Sequence, residues 1–325
     1  MNHKIRIGIA GYGNLGKGAE LAIQYNTDME LVAVFSRRHF KHTASGVPVV
    51  SVSDMAEYKD KIDVMLLCGG SATDLAEQGP QFAALFNTVD SFDTHAKIPE
   101  YFGAMDNVAK KHGTVATISV GWDPGLFSLN RLLANSVLPQ GVDYTFWGKG
   151  VSQGHSDALR RIAGVKDAKQ YTIPKDELIA SIRAGQAPIV SANQAHWRDC
   201  YIVADEGADL EFIEQTVKNM PDYFAGYETK VTFISAEDLA AKHGDMPHGG
   251  FVLRSGTSSP SNNHIFEFSL KLDSNPEFTS SVLLAYARAA YRMSAWNFTG
   301  AYTVLDIPFA WLSPKSAAEL RQQFL

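Results

Sequence analysis

Residues 5–16 read IRIGIAGYGNLG, a short apolar run followed directly by the pattern G-x-G-x-x-G. The run Ile5–Ala10 predicts a buried strand, and the stretch after the glycines, through about residue 25, predicts a helix. In that context Gly11 permits a tight turn, Gly13 lets backbone N–H groups approach a pyrophosphate, and Gly16 lets helix and strand pack closely. The stretch predicts a strand–turn–helix unit that binds a dinucleotide; an incidental glycine-rich turn is the alternative.

The alternation of apolar runs with helix-length segments continues to about residue 125. It is typical of βαβ units, and it predicts an α/β fold with a Rossmann-type doubly wound parallel sheet over residues 1–125. The expected strands are Ile5–Ala10, Met29–Phe35, Val64–Cys68, Thr88–Phe92 and Thr114–Val120. Because ligands of such sheets bind beyond the carboxyl ends of the strands, we expect the functional residues there.

In residues 126–297 the regular alternation of strand-like and helix-like segments is lost. This predicts a second, α+β domain for substrate binding and dimerisation. The segments expected as strands are Asp143–Trp147, Tyr201–Ala204, Lys230–Ile234, Phe251–Arg254 and Ile265–Lys271, and those expected as helices are Leu210–Asn219 and Phe278–Met293. The last helix carries small alanine-rich faces that are compatible with packing on another subunit. The segment from about 298 to 325 is a candidate to pack back on the first domain.

The second strand ends in Ser36-Arg37-Arg38, where NAD-binding proteins place an acidic residue for the ribose 2′-hydroxyl. Guanidinium groups bind a 2′-phosphate that a carboxylate would repel, so the sequence predicts NADP rather than NAD. A solvated basic turn is the alternative. A third loop, Cys68–Thr73, is small enough for close approach to the cofactor, although Cys68 itself is expected as a buried strand residue rather than a nucleophile. The expected cofactor residues are Gly11, Tyr12, Gly13, Asn14, Leu15, Gly16, Ser36, Arg37, Arg38, Cys68, Gly69, Gly70, Ser71, Ala72 and Thr73.

Two carboxylates follow the fourth and fifth expected strands. Asp93 lies in the string DSFDTH and Asp123 in GWDPG. Acidic groups at the nicotinamide end of the site suit a substrate with an ammonium group, held while hydride leaves the adjacent carbon. For Asp123 the alternative is helix capping, since Asp before Pro124 is a favoured helix start.

Composition excludes several classes of function. The 325 residues carry a net charge of −6 and no block of like charges, so we expect no nucleic-acid partner. The two cysteines, Cys68 and Cys200, lie far apart in a sequence poor in metal-ligand patterns, so we expect no disulfide and no metal site. No export signal and no apolar stretch of about 20 residues is visible, so we expect a cytoplasmic protein that does not span a membrane.

Nine strings occur in an order that resembles one enzyme family over nearly the whole chain: GYGNLG, FSRR, GSATD, VGWDPG, FWG, SQGHSDALRR, MPDYF, GYE and MPHGG. They resemble the meso-diaminopimelate D-dehydrogenases. The resemblance implies reversible oxidative deamination of the D-centre of meso-2,6-diaminopimelate by NADP⁺, giving L-2-amino-6-oxopimelate, which cyclises to tetrahydrodipicolinate in lysine biosynthesis. It also implies a homodimer.

The resemblance assigns roles to the two aspartates and to residues that the patterns alone leave as structural or surface positions. It places Asp93, Asp123 and Trp147 at the D-centre, the two aspartates as catalytic candidates, with Trp122 and Gln153 nearby. The opposite, L-configured end is assigned to Thr172, Arg198 and His248, with Asn275 as a further polar contact. Arg198 and a protonated His248 suit the distal carboxylate, as the aspartates suit the ammonium group.

Two other functions remain open on the residues alone. One is an NADP-dependent oxidoreductase acting on a sugar or an aldehyde; such enzymes often carry Glu-Lys-Pro after the corresponding strand, where this chain has Ala96-Lys97-Ile98-Pro99. The other is an NADP-sensing regulator without turnover. It predicts a pocket without polar groups in place of the carboxylates seen here.

Overall fold

The computed structural model describes residues 4–38 and 42–325. Its strands are β1 Ile5–Ala10, β2 Met29–Phe35, β3 Val49–Val50, β4 Val64–Leu67, β5 Asn87–Asp90, β6 Val115–Thr117, β7 Gln140–Trp147, β8 Gly150–Val151, β9 Val165–Pro174, β10 His196–Ala204, β11 Glu228–Phe233, β12 His248–Ser259, β13 Asn262–Leu272 and β14 Gly300–Tyr302. Its α-helices are α1 Asn14–Ile23, α2 Ala76–Ala83, α3 Ile98–His112, α4 Leu126–Val137, α5 Gln153–Arg160, α6 Asp176–Arg183, α7 Ala192–Ala195, α8 Leu210–Asn219, α9 Ala236–His243, α10 Asn275–Ala295 and α11 Ala317–Phe324.

The first domain is built on a parallel sheet. In the described part of the chain it has seven strands in the order β14-β6-β5-β4-β1-β2-β3. The connections run outward in both directions from β1 and β4, so the glycine-rich turn after β1 lies at the point where the strand order reverses. The predicted Rossmann-type, doubly wound fold is confirmed.

Three of the expected strands end earlier than predicted, the first of them, β4, at Leu67 instead of Cys68. β5 ends at Asp90 and β6 at Thr117, whereas the sequence predicted extension to Phe92 and Val120. The Asp90 side chain accepts the N–H of Phe92, which turns the chain out of the sheet. Ser119 has a φ of 56°, a left-handed conformation that a strand does not contain.

The second domain contains two small sheets. Within the described residues one has the order β11-β10-β9-β8 and the other β13-β12-β7. The predicted strands correspond to β7, β10, β11, β12 and β13; the two-residue β8 was not predicted, and neither was the longer β9. Its sequence, VKDAKQYTIP, carries polar residues along much of its length, so no apolar run marks it.

The chain divides at different residues than expected. One unit comprises residues 1–129 and 276–325, and the other residues 130–275. Helix α10, expected in the second domain with faces for another subunit, belongs to the first. Its Leu283, Leu284 and Ala287 are fully buried in the same core as Ile7 and Ile9 of β1. The small residues of α10 therefore serve packing inside this domain.

The C-terminal segment also belongs to the first unit. Strand β14 pairs in parallel with β6, with Gly300 opposite Val115. Within the described residues, no helix combines the length and the apolar character needed to cross a bilayer.

Candidate functional site

The glycine-rich turn has the geometry that its spacing predicts. Gly11 has a φ of +94°, which disfavours residues with a side chain. A Cβ at Gly16 would collide with the carbonyl oxygen of Gly11, so only glycine lets α1 approach the turn. At Gly13, the residue preceding α1, an added Cβ would meet nothing within 4 Å, so the space above the helix N-terminus is open. Asn14, Leu15 and Gly16 form the first turn of α1.

Three expected loops border one cleft of about 430 Å³ in the first domain. Its lining includes Gly11, Tyr12, Gly13, Ser36, Arg37, Arg38, Cys68, Gly69 and Gly70. Ser71, Ala72 and Thr73 continue from this lining into the single-turn π-helix Ser71–Leu75. Open space at a helix N-terminus, next to guanidinium groups, fits a dinucleotide with an additional phosphate on its ribose.

One acidic residue on this cleft was not predicted. Asp74 pairs with Arg37 at 2.6 Å and accepts the N–H of Gly70 at 3.1 Å. Burial raises the pKa of Asp74, but the bond from Gly70 and the charge of Arg37 outweigh it and hold the pKa below its usual value. The Arg37 side chain remains 70% exposed, and Arg38 donates its backbone N–H to Ser36 Oγ. The charge of Arg37 is therefore partly neutralised by Asp74, whereas the sequence suggested a guanidinium with no acidic partner.

A buried carboxylate connects the glycine-rich turn to the segment that follows the basic turn. Glu20 of α1 is 2% exposed and accepts bonds from the Tyr12 hydroxyl and from the backbone and hydroxyl groups of Ser45. Burial raises the pKa of Glu20, but the bonds from Ser45 and Tyr12 outweigh it and leave the pKa below its usual value. Tyr12 thus has a structural partner in addition to its place on the cleft.

Cys68 is a buried free thiol, as the sequence predicted, but it follows the last residue of β4 and is not part of the strand. Burial raises its pKa to about 12, so the thiolate is scarce at neutral pH. Its backbone N–H bonds to Ala10 at 2.7 Å, next to the glycine-rich turn. Cys68 contributes its surface to the cleft but not a nucleophile.

The two candidate catalytic aspartates follow neighbouring strands at the carboxyl edge of the parallel sheet. Asp93 follows β5, is exposed, and donates its backbone N–H to Ser71 Oγ at 3.1 Å. Asp123 follows β6 and is partly buried. The capping alternative for Asp123 requires a helix whose first residue is Pro124. Helix α4 begins instead at Leu126. Trp122 is 8% exposed and packs edge-on against a neighbouring phenylalanine ring.

In the second domain, Arg198 and Thr172 form a buried polar pair. They lie opposite each other on antiparallel strands β10 and β9, and the guanidinium donates to the threonine hydroxyl. Arg198 is 8% exposed, and its guanidinium carbon lies 4.1 Å from the centre of the Tyr227 ring. Burial lowers the pKa of Arg198 from its usual value.

The charge of Arg198 is not balanced by a carboxylate in residues 4–38 and 42–325, where no salt bridge includes it. The adjacent Asp199 lies on the opposite face of the strand, where it accepts a bond from Tyr201. A buried guanidinium is costly unless an anion pairs with it. The arrangement is suited to a carboxylate from a ligand.

One further predicted residue, His248, lies near this pair. Gly150 of β8 is paired with Thr172, and a Cβ at Gly150 would touch the ring of His248. The Nδ1 atom of His248 accepts the N–H of Gly249 at 2.8 Å. The same Nδ1 atom lies 3.2 Å from the carbonyl oxygen of Gly249, so its role as donor or acceptor depends on the tautomer.

Trp147 and Gln153 are held by partners from other segments of the second domain. The N–H of Trp147 bonds to His196 Nε2 at 2.9 Å, and the two rings stack with centres 5.4 Å apart. Burial lowers the pKa of His196 to about 4, so this histidine is a neutral acceptor. The Gln153 amide contacts the sulfur of Met246, whose carbonyl accepts the N–H of Asn275.

The residues that sequence reasoning missed share one property: their partners are distant in the chain. Asp74 and Tyr227 lie in the strings GSATD and GYE, but neither string indicates a contact for them, and Glu20 lies in none of the nine strings. For His196 the only signal was its place in the polar string His196-Trp197-Arg198, in a segment that the structure shows as the start of β10.

The cleft and the sheet define the class: a dinucleotide-binding α/β protein of two domains, with a buried Arg198–Thr172 pair in the second. A family model described as "Diaminopimelic acid dehydrogenase C-terminal domain" matches residues 121–274. The meso-diaminopimelate D-dehydrogenase of Ureibacillus thermosphaericus is 62% identical over 324 residues, which cover 99% of each chain. The chain belongs to the meso-diaminopimelate D-dehydrogenase family.

Solved structures agree with this assignment. The diaminopimelate dehydrogenase of Corynebacterium glutamicum, in complex with diaminopimelate, is 46% identical with a TM-score of 0.93, and the match covers 99% of both chains. An engineered D-amino acid dehydrogenase bound to NADP⁺ is 44% identical with a TM-score of 0.88, covering 99% of this chain and all of the other.

Proposed function

We propose that the protein oxidises the D-configured carbon of meso-2,6-diaminopimelate with NADP⁺ and releases ammonia. The balanced reaction consumes meso-diaminopimelate, NADP⁺ and water and yields L-2-amino-6-oxopimelate, NADPH, ammonium and one proton. Relatives that match almost the whole length of the chain are named for this activity. The observation in this molecule that supports it best is the buried Arg198, which needs an anion such as a substrate carboxylate.

The first domain is proposed to bind the cofactor. The N-terminus of α1 takes the pyrophosphate, and Ser36, Arg37 and Arg38 take the 2′-phosphate. When bound, NADP⁺ accepts the hydride. An engineered relative binds NADP⁺, which supports the same choice of cofactor here.

The remaining roles are assigned by substrate chemistry. Asp93 and Asp123 are proposed to bind the D-ammonium group and to assist its deprotonation, with Trp122, Trp147 and Gln153 as further contacts. Arg198, Thr172, His248 and Asn275 are proposed to bind the L-configured end. Both ends of the substrate carry the same groups, so selection of the D-centre requires that the L-end be held in one direction.

Steady-state turnover tests the proposal. We expect NADPH formation from meso-diaminopimelate and NADP⁺, little from the L,L-isomer, and a lower kcat/KM with NAD⁺. Since the reaction releases a proton, alkaline pH favours deamination. Ammonium measured in a coupled assay should equal NADPH. Absence of NADPH formation with the meso isomer, or equal rates with the L,L-isomer, would reject the proposal.

We infer a homodimer, as the family resemblance implies. Leu132, Leu133 and Val137 on α4 are 49%, 48% and 57% exposed, an apolar face that a second copy would cover. Light scattering coupled to gel filtration should give twice the chain mass. Replacement of Leu133 and Val137 by lysine should give the monomer mass, and a dimer that persists would place the interface elsewhere.

We also infer a cytoplasmic location. Cys68 and Cys200 are free and buried, as expected of a protein from a reducing compartment. Cell fractionation tests this inference. Recovery of the protein in a secreted or membrane fraction would contradict it.

A further inference from the structure

We propose that Asp90 is a positioning residue that holds the loops carrying Asp93 and Asp123 in one arrangement. Asp90 ends β5 and is fully buried, so it does not contact a substrate itself. The inference rests on the proposed function only in taking Asp93 and Asp123 as the catalytic pair. The contacts of Asp90 explain how one side chain acts on both.

One carboxylate oxygen of Asp90 joins the two loops. Its Oδ1 accepts the N–H of Phe92 at 2.9 Å, in the loop that carries Asp93. The same atom accepts the N–H of Ser119 at 3.0 Å, in the segment that leads to Asp123. The backbone carbonyl of Asp90 accepts the N–H of Val120 at 2.8 Å, which adds a second connection to that segment.

The other carboxylate oxygen fixes Asp90 to a helix. Its Oδ2 accepts the Tyr101 hydroxyl of α3 at 2.8 Å. The Tyr101 ring stacks on Phe92, with centres 4.2 Å apart and planes 17° apart. The carboxylate is thereby held from both sides, and Phe92 is held through both its backbone and its ring.

The backbone at Ser119 indicates that this arrangement is imposed. Ser119 has a φ of 56°, a left-handed conformation that is uncommon for a residue with a side chain. Such a conformation persists when the surroundings over-determine it, and it is frequent near functional sites. The bond from Ser119 N–H to Asp90 is one such constraint, and without it a buried N–H would lack a partner.

Burial of a carboxylate in this place requires an explanation other than stability. Desolvation raises the pKa of Asp90 to about 6, so ionisation is disfavoured there. Two neighbouring loops meet at this one acceptor, and misplacement of a catalytic group by about 1 Å can cost about 100-fold in rate. The carboxylate sets the relative position of the two loops.

The test compares Asp90→Ala with Asp90→Asn in the full-length enzyme. Alanine removes the acceptor, whereas asparagine keeps an oxygen for the N–H groups of Phe92 and Ser119. Asp106→Ala is the matched control, since Asp106 also accepts a backbone N–H in the same domain, that of Ala301 at 3.0 Å.

We expect Asp90→Ala to lower kcat at least tenfold with little change in KM for NADP⁺, and Asp90→Asn to restore most of the rate. Asp106→Ala should leave kcat within twofold. Amide hydrogen exchange of the free protein should be faster around Phe92 and Ser119 in Asp90→Ala alone. That second measurement requires neither substrate nor cofactor.

An unchanged kcat in folded Asp90→Ala, or unchanged exchange in both segments, would overturn this inference and leave the proposed function intact. Absence of turnover in the unmodified enzyme would instead overturn the proposed function, and the exchange measurement would still decide the loop contacts. If Asp90→Ala does not fold, Tyr101→Phe removes one anchor. It should lower kcat several-fold without changing the affinity for NADP⁺, and an unchanged kcat would overturn the inference.

Discussion

The two candidate binding regions handle charge in different ways. On the cofactor cleft the cationic groups are exposed, and Arg37 is already paired with Asp74. In the second domain Arg198 is buried against Tyr227 and Thr172, with no carboxylate partner in the described parts of the chain. A solvated cation is screened by water, whereas a desolvated one interacts strongly with any anion that reaches it. The buried guanidinium should therefore contribute more to binding than each exposed one.

The largest expected effect is at Arg198. Arg198→Leu should lower kcat/KM for meso-diaminopimelate by roughly 100- to 1,000-fold, since loss of a buried charge partner costs about 3 to 4 kcal/mol. Because the guanidinium lacks a carboxylate partner, thermal stability should stay equal or rise. Arg183→Leu, in an exposed pair with Glu267, is the control and should change kcat/KM less than twofold. Equal effects of the two substitutions would remove the contrast between buried and exposed cations.

The next effect concerns pH and stability at Asp90. Its pKa is raised from 3.8 to about 6 by burial. The folded state binds the proton more tightly than the unfolded state, so the stabilising contribution is full below about pH 4 and is lost as pH rises through about 6. The difference corresponds to about 3 kcal/mol. Denaturant unfolding of Asp90→Asn should lack this decline.

Asp106 is the matched control for that measurement. The hydrogen bond from Lys110 lowers the pKa of Asp106, so its contribution has the opposite sign and is lost as pH falls. Asp106→Asn should therefore retain the decline with rising pH, and a parallel change in both variants would contradict the assignment to Asp90.

A smaller effect is expected at the exposed arginines. The double variant Arg37→Ser, Arg38→Ser should lower the ratio of kcat/KM for NADP⁺ to that for NAD⁺ by roughly 30-fold, from about 2 kcal/mol of charge-assisted bonding. Arg38→Ser alone should account for more of this fall in the ratio than Arg37→Ser, because Arg37 is already paired with Asp74. Arg6→Ser, remote from the cleft and paired with Asp63, is the control. An unchanged ratio in the double variant would refute the 2′-phosphate assignment.

The smallest effect is expected at Glu20. Glu20→Gln weakens the bonds from Tyr12 and Ser45, and KM for NADP⁺ should rise about fivefold, corresponding to about 1 kcal/mol. The exposed Glu30→Gln on β2 is the control. A fall in melting temperature with no change in KM would assign the network to stability alone.

The first region could be predicted from sequence because its parts are contiguous. The residues of GYGNLG and of Ser36-Arg37-Arg38 act through local turns, and the strands beside them have strong apolar runs. The structure confirms both the turn and the fold. Asp74 and Glu20 were missed because a carboxylate inside a helical turn has the same local pattern whether it faces water or a distant donor.

The second region was not predictable from local pattern. Thr172 and Arg198 become partners through the register of β9 and β10. Strand β9 has no apolar run from which it could be predicted. Family resemblance supplied these residues, and residue patterns alone left each as a structural or surface position. The placement of α10 failed for a related reason: amphipathic spacing identifies a face to be buried but not the surface that buries it.

The division of the chain bears on how the protein is made. The first unit is interrupted by residues 130–275, and α10, which comes after the interruption, supplies core side chains that pack with β1. During synthesis the apolar side chains of the amino-terminal segment stay uncovered until α10 has emerged from the ribosome, when nearly the entire polypeptide has been made. Residues 130–275 are contiguous and can fold earlier on the ribosome. A product truncated after them would contain this folded unit together with an amino-terminal segment whose apolar side chains are exposed and prone to aggregation.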